Sequence, residues 1–416
     1  MTFTVGFVGA SHLSYVSAIS AAEKCGGDFK VVCYAQEHLF EKGKPETLSI
    51  QEPDLLRLLD KNKAHLTFTS NLTDISQCEL VYLAIDVPTD DQGTSDLSII
   101  SKQIEEMLPH LSDSAILVIL SQVPPGFTRS VPFPQERLFY QVETLIFGKA
   151  VERALFPERF IIGNSEKTKK LPQAYETYLK KFNCPIFVMN YESAELAKIS
   201  INLYLVSTIT TTNTLAEICQ HVGADWEDIA ETLRLDKRIG PYAYLKPGLG
   251  LAGGNLERDL ATIQKIAFNH GCFAKLIDVE LEDSAYRLNW GLRILKQHCE
   301  SSTNQKIGIL GLTYKENTHS LKNSASLKFL KSMSKSHPVY AYDPAVASLK
   351  GHDHVNLCKT AEDVIKNSTL LAIMTPWADF SKINYETFSG DIIDPYGMIK
   401  QKNGDSKIYQ IGKQIC

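Results

Sequence analysis

No stretch of the chain approaches the roughly 18 consecutive apolar residues that a membrane span requires, and the N-terminus lacks a basic region followed by an apolar core. A membrane protein and a secreted precursor are both set aside on that ground. Excess charge of one sign is missing too. The formal net charge is −5, which gives a nucleic-acid backbone nothing to bind. Cysteine is present but not in pairs: nine are scattered from Cys25 to Cys416, with no CxxC and no spacing that suits a metal. Neither a disulfide framework nor a zinc site is expected, and the cysteines read as small buried hydrophobes of a cytoplasmic protein. Low-complexity tracts, charge blocks and internal repeats are also absent. What remains is an ordinary globular composition, 44% hydrophobic and 22% charged over 416 residues. Single cores rarely grow beyond about 250–300 residues, so two or three domains are expected.

Short apolar runs of strand length alternate with helical stretches in the first part: Phe3–Val8, Phe29–Ala35, Glu79–Asp86 and Ala115–Val123, with a helix around Ser98–Leu111. A second series runs through Lys306–Leu312, His337–Asp343, Ser368–Thr375 and Gly390–Gly397. Strands alternating with amphipathic helices build parallel sheets covered on both faces. Between the series, Ser193 to about His221 carries Leu196, Ile199, Leu203, Val206 and Ile218 at helical spacing, and a second helical run spans about Cys272–Cys299. The expected fold is α/β: two Rossmann-like doubly wound domains joined by a long central helix and a helical region. The boundaries fall at 1–185 for dinucleotide binding, 186–300 for dimerisation and substrate, and 301–416 for a second Rossmann-like domain. The long helix is expected to pair two copies of the chain.

After the first strand the chain reads Gly9-Ala10-Ser11-His12-Leu13-Ser14. A dinucleotide-binding turn uses three glycines, for the bend, for close approach of backbone to pyrophosphate, and for helix–strand packing. Here the first stands and the other two are Ser11 and Ser14. On the central helix, Lys198 and Asn202 are four residues apart and project from one face; an ammonium beside a carboxamide suits an oxyanion or a pinned water. Alone, the pair reads more simply as a solvated lysine beside a surface asparagine. The loop Pro247–Asp259, PGLGLAGGNLERD, reverses that preference. Its Gly248, Gly250, Gly253 and Gly254 let backbone amides approach a ligand. Asp259 has two readings, a group that orients a water or a lysine, and the cap of a helix starting near Leu260.

That loop is similar to the active-site loop of the UDP-glucose/GDP-mannose dehydrogenase family, and the resemblance runs in order along nearly the whole chain. Glu52-Pro53-Asp54-Leu55 resembles the family's EPGL, Leu83–Thr89 with Asp96-Leu97-Ser98 its VGTPT…DLS, and Ser121–Thr128 its STVPVGTT. Glu143 stands where NPEFL has its glutamate, with Phe147 at the second glutamate of that motif. Pro157-Glu158-Arg159 and Gly163 match PERxxxG. Glu195, Lys198, Asn202 and Asn213 match ExxKxxxN…N, and Asp236–Gly240 matches DxRIG. Gly311, Lys315, Asp343-Pro344 and Trp377 follow the GLxxK, YDP and TEW positions.

The resemblance implies an enzyme that oxidises a sugar-nucleotide alcohol twice with NAD. In that chemistry a lysine and an aspartate assist hydride removal, a cysteine traps the aldehyde, and a glutamate helps hydrolyse the resulting thioester. Carried over, Lys198, Asn202, Asp259 and Glu143 are catalytic, while Asn255 stands at the nucleophile's position and Arg258 at a lysine's. A carboxamide cannot capture an aldehyde, and arginine cannot shuttle a proton as lysine can. The cofactor positions are Gly9, Ser11, Ser14, Tyr34, Thr89 and Lys315. Counting back from Glu52 puts Tyr34 where the family has the ribose-binding acid. The substrate positions are Arg238 (given by a partner subunit), Tyr244, Leu245, the four loop glycines and Lys322, which replaces an arginine of the diphosphate clamp; Tyr396 replaces another. The expected partners are a UDP- or GDP-sugar, NAD or NADP, and a second copy of the chain. Three functions stay open: a two-electron oxidoreductase, a catalytically silent binding or scaffold protein, and a redox-assisted epimerase or other reaction in the reused cleft.

Overall fold

A computed structural model describes residues 3–35, 52–90, 93–298, 305–400 and 406–414. The expected boundary at 300/301, Cys299 and Cys416 lie outside them. The chain forms two compact units, Met1–Ile201 and Asn202–Cys416.

The first unit is built on β1 (Phe3–Val8), β2 (Phe29–Tyr34), β3 (Leu66–Thr69), β4 (Leu80–Leu83), β5 (Ile116–Ile119), β6 (Leu138–Gln141), β7 (Phe160–Asn164) and β8 (Ile186–Asn190). Their order in the sheet is β3-β2-β1-β4-β5-β6-β7-β8, and every neighbouring pair is parallel except β6–β7. Order reverses between β1 and β4, the place where open α/β sheets bind ligands. Alternate side chains of each strand enter opposite cores. Val5, Phe7, Leu80 and Tyr82 face α1 (His12–Cys25), α5 (Ala150–Leu155) and α6 (Gln173–Lys180). Val8, Val81 and Leu83 face α3 (Ser98–Met107) and the start of α7 (Tyr191–Val222). Two shorter helices, α2 (Leu55–Asn62) and α4 (Phe127–Ser130), complete the layers.

Helix α7 runs 32 residues without a break, as its periodicity indicates. Its apolar stripe is only partly covered: Ile199 and Val206 are buried, whereas Leu196 and Ile218 are exposed. The second unit continues with α8 (Trp226–Leu235), α9 (Asn255–His270), α10 (Lys275–Arg287) and α11 (Trp290–His298). The single helical run expected over 272–299 is thus two helices. The second sheet holds β9 (Ile307–Leu310), β10 (Val339–Tyr342), β11 (Asn356–Leu357), β12 (Leu370–Ile373), β13 (Ile392–Ile393) and β14 (Ile408–Tyr409), with α12 (Ala325–Met333) and α13 (Ala361–Asn367) against it. Its order is β11-β10-β9-β12-β13-β14, parallel throughout, with the switch between β9 and β12. Two doubly wound Rossmann-like sheets are therefore present. Among the described residues no helix is long and apolar enough to cross a membrane.

Candidate active site

In the first unit the β1–α1 turn sits at the switch point. Gly9 has φ +141°, and a Cβ there would stand 2.4 Å from the carbonyl oxygen of Ala84, just beyond β4; only glycine fits. The Ser11 hydroxyl turns inward, donating to that same Ala84 oxygen at 2.7 Å and accepting from the Ser14 amide at 3.0 Å as the N-cap of α1. Ser14 is fully buried, its hydroxyl 3.5 Å from the Cys33 sulfur at the helix–strand contact. Tyr34 accepts the Gly9 amide through its backbone oxygen, while its side chain lies in the core with Val8, Val32 and Leu83. Its ring serves packing, and sequence spacing alone could not give its direction. Thr89 is half-buried and bridges to Ser95.

A group that sequence reasoning missed ties this turn to the loop after β6. The Glu52 side chain is fully buried and accepts from His12 Nε2 at 2.9 Å, from the Gly148 amide at 2.9 Å and from the Ala150 amide at 3.2 Å. Phe147 lies against the His12 ring, centroids 4.4 Å apart. Nothing in the polar run Gln51-Glu52-Pro53-Asp54 marks Glu52 as the buried one, because its donors come from chain far away in sequence. Glu143 follows β6 and accepts from the Leu145 amide. Burial pushes its carboxyl up to about 7, with Lys198 and Arg153 pulling it down and Asp86 pushing it further up. Lys198, half-buried on α7, thus lies near enough to act on Glu143. Glu195, one turn earlier, is buried and caps α4, accepting from Gly126 at 2.6 Å and Thr128 at 2.8 Å.

In the second unit the glycine loop is pinned along its length. Gly248 donates to Asn213 Oδ1 at 2.8 Å, Leu251 to Ser284 Oγ at 2.8 Å, and Gly253 to the Lys322 carbonyl at 3.2 Å. Gly253 has φ +89°, and a Cβ there would meet the Tyr314 ring at 2.6 Å; one on Gly254 would meet Lys322 Cε at 2.9 Å. A Cβ on Gly250 would clash with the Ser284 carbonyl at 2.7 Å. Tyr244 is exposed, its carbonyl accepting from Thr212 at 3.0 Å, and the buried Leu245 accepts from Trp226 Nε1 at 2.8 Å.

Helix α9 begins at Asn255, with Gly254 as its N-cap. Glu257 accepts the Gly254 amide and the Asn323 side chain, each at 3.1 Å. The expected helix start near Leu260 is therefore five residues late, and Asp259 is not its cap, because glycine and Glu257 already satisfy the helix end. Asp259 lies inside the helix, 2% exposed. Asn202 Nδ2 donates to its Oδ2 at 2.5 Å and Arg258 Nε to its Oδ1 at 3.3 Å. Asn255 itself is exposed.

Arg238 is not gathered with the loop: its side chain is 88% exposed and folds back on Asp236 at 2.6 Å. Lys315 Nζ stands 5.8 Å from the centre of the Tyr314 ring. Asp343 and Trp377 serve the second sheet, the buried carboxylate accepting from Leu312 at 2.7 Å, Thr313 at 3.0 Å and Trp377 Nε1 at 3.1 Å. A cavity of about 860 Å³ opens beside the loop, walled by Trp226, Leu245, Lys246, Pro247, Tyr385 and Tyr396, within the size range of small-ligand sites. Among the described residues no three His, Cys, Asp or Glu side chains gather as a metal site.

Three family descriptions match in succession: the NAD binding domain of the UDP-glucose/GDP-mannose dehydrogenase family over residues 3–182, its central domain over 192–282 and its UDP binding domain over 308–402. Relatives include UDP-glucose 6-dehydrogenase TuaD of Bacillus subtilis, 27% identical over 91% of this chain and 85% of that one. UDP-glucose 6-dehydrogenase of Rickettsia bellii is 26% identical over 99% and 100%. Among solved structures, a UDP-glucose dehydrogenase from Pyrobaculum islandicum superposes with a TM-score of 0.85 at 21% identity, covering 99% of this chain and 98% of its own. A UDP-D-ManNAc dehydrogenase from Pyrococcus horikoshii gives 0.84 at 21%, covering 99% of both. With its two switch-point sheets, its pinned glycine loop and these three successive matches, the chain belongs to the UDP-glucose/GDP-mannose dehydrogenase family.

Proposed function

We propose that this protein binds a nucleotide diphosphate sugar and a nicotinamide dinucleotide and catalyses at most a two-electron exchange between alcohol and carbonyl, without forming a uronate. The observation that carries this is Asn255. It occupies the first position of α9, where helix N–H groups would favour a thiolate, and it offers only a carboxamide. The nearest cysteine in sequence, Cys272, follows the far end of the same helix of 16 residues, about 24 Å away at 1.5 Å per residue.

The dinucleotide fits the β1–α1 turn: Gly9 gives close backbone approach, and the inward-turned Ser11 leaves the first turn of α1 to face a phosphate. At the end of β2 the described residues supply no carboxylate for a ribose. When bound, the nicotinamide accepts or returns the hydride. In the first unit Glu143, with its raised carboxyl and neighbouring Lys198, is the group that holds or releases the proton. In the second unit Asn202 holds Asp259 in place, while Lys322, packed against the pinned glycine loop, takes the diphosphate, and the cavity walled by Lys246 and Tyr396 takes the nucleoside end. Arg238 is offered to a partner copy, and the exposed faces of α7, α9 and α10 form the dimer contact. The division at 1–185, 186–300 and 301–416 belongs to the same proposal. Incubation with UDP- and GDP-sugars plus NAD or NADP is expected to yield a carbonyl sugar and no uronate. Stoichiometric uronate overturns this.

A second reading, a silent nucleotide-sugar-binding protein, is favoured by Asp259, which is buried with both of its oxygens already engaged. Calorimetry bears on the choice: micromolar dinucleotide binding counts against the silent reading.

A further inference from the structure

Within the first unit lies a small cavity, about 70 Å³, that none of the chemistry above uses. Strands β1, β4 and β6 bound it on one side, helices α1, α5 and α6 on the other. Its polar lining includes Ser17, Ser20, Tyr82, Gln141, Glu143 and Arg153. At this size it admits several waters, each needing roughly 10–15 Å³ of such space. Two features point to an occupant. Ser20 is 1% exposed and its hydroxyl has no hydrogen-bond partner in the protein; stranding it in a dry cavity costs more than immobilising one water. The Gln141 carbonyl is already taken by the hydroxyls of Tyr82 at 3.1 Å and Tyr175 at 2.9 Å, which leaves its NH₂ as the group it can offer. The outer end is lined by Pro157 and Arg159, both partly exposed.

We propose that this cavity is a hydration chamber, in which ordered waters anchored on Ser20 reach the Glu143 carboxyl and carry its proton to and from solvent. A proton passes from the carboxyl to the adjoining water and on along the chain, with no change in electron count. The charged groups acting on Glu143 are Lys198 on α7, Arg153 on α5 and Asp86 after β4; water in the chamber adds solvation from the remaining side. The inference rests on Glu143 as the acid–base group of the proposed function, but its test uses neither sugar nor dinucleotide, so the two fail separately.

The full-length chain is crystallised, and the Glu143 carboxyl is titrated by infrared spectroscopy, its band identified by loss in Glu143→Gln. The expected result is two or more waters in the chamber, one on Ser20 Oγ. In Ser20→Val they are displaced and the Glu143 ionisation rises by roughly one pH unit, as lost solvation disfavours the anion. Ser20→Ala, which removes the anchor and keeps the space, serves if the valine does not fold and is expected to shift the titration in the same direction. A dry chamber, or a Glu143 titration unchanged in a folded Ser20 variant, overturns the proposal.

Discussion

On the proposed reading, the side chain at position 255 decides whether a carbonyl carbon can be held covalently. Replacing Asn255 with cysteine puts a thiol at the start of α9, and exposing the variant to a nucleotide-sugar aldehyde is expected to give a mass adduct absent from the natural chain. Equal labelling of both would show that another group captures carbon. Arg258 and Asp259 form a buried pair, 10% and 3% exposed in their side chains. Removing the cation by Arg258→Ala is expected to cost about 3 kcal/mol in urea unfolding, since a buried charge is left short of a partner. Glu143 makes a third case. In the folded chain it keeps its proton up to about pH 7, against an ordinary value of 4.5. Between those values the native state binds more protons than the unfolded one, so stability falls as pH rises through that window. Thermal melts from pH 4 to 8 are expected to show a drop that Glu143→Gln flattens. The identities of these residues could be read from the sequence, but not their partners. That Tyr34 points into the core and that Asn202 closes on Asp259 depend on chain brought in from elsewhere.

The four strands read from apolar runs in the first unit are all present, because β1, β2, β4 and β5 are buried on both faces and need unbroken apolar stretches. Three of the other four escaped for identifiable reasons. β3 and β8 lie at the sheet edges with partly exposed residues, and β6 carries Gln141, whose polarity is absorbed by two tyrosine hydroxyls. The start of α9 was misjudged because Gly253-Gly254 reads as loop, although the second glycine is a helix cap with φ +94°. The same segment allows a test of why glycine is needed. Gly253→Ala is expected to destabilise the chain by about 2 kcal/mol, combining backbone strain with the clash against Tyr314. Tyr314→Ala in the same chain should recover the clash but not the strain, and a double-mutant cycle measures the split. Full additivity would mean that the ring is not the obstacle.

For the molecule as a whole, strand–helix alternation and the long interrupting helix made the architecture legible, since both depend on periodicity. The exposed apolar side chains of the second unit were not. Tyr204, Phe268, Phe273 and Leu276 are 79%, 87%, 88% and 60% exposed; large apolar side chains in water are what a partner surface would cover. If a second copy covers them, Tyr204→Glu with Leu276→Glu is expected to convert a dimer into monomers in analytical ultracentrifugation, without loss of helical signal. A natural chain that sediments as a monomer at micromolar concentration would refute the pairing.

The Ser11 hydroxyl carries a wider consequence. By donating to the carbonyl beyond β4 it stitches the neighbouring strands β1 and β4 together at their mouth, where a glycine would leave only main chain. A ligand arriving there meets a frame that is already closed, so the spacing of those strands should be the same before and after it docks.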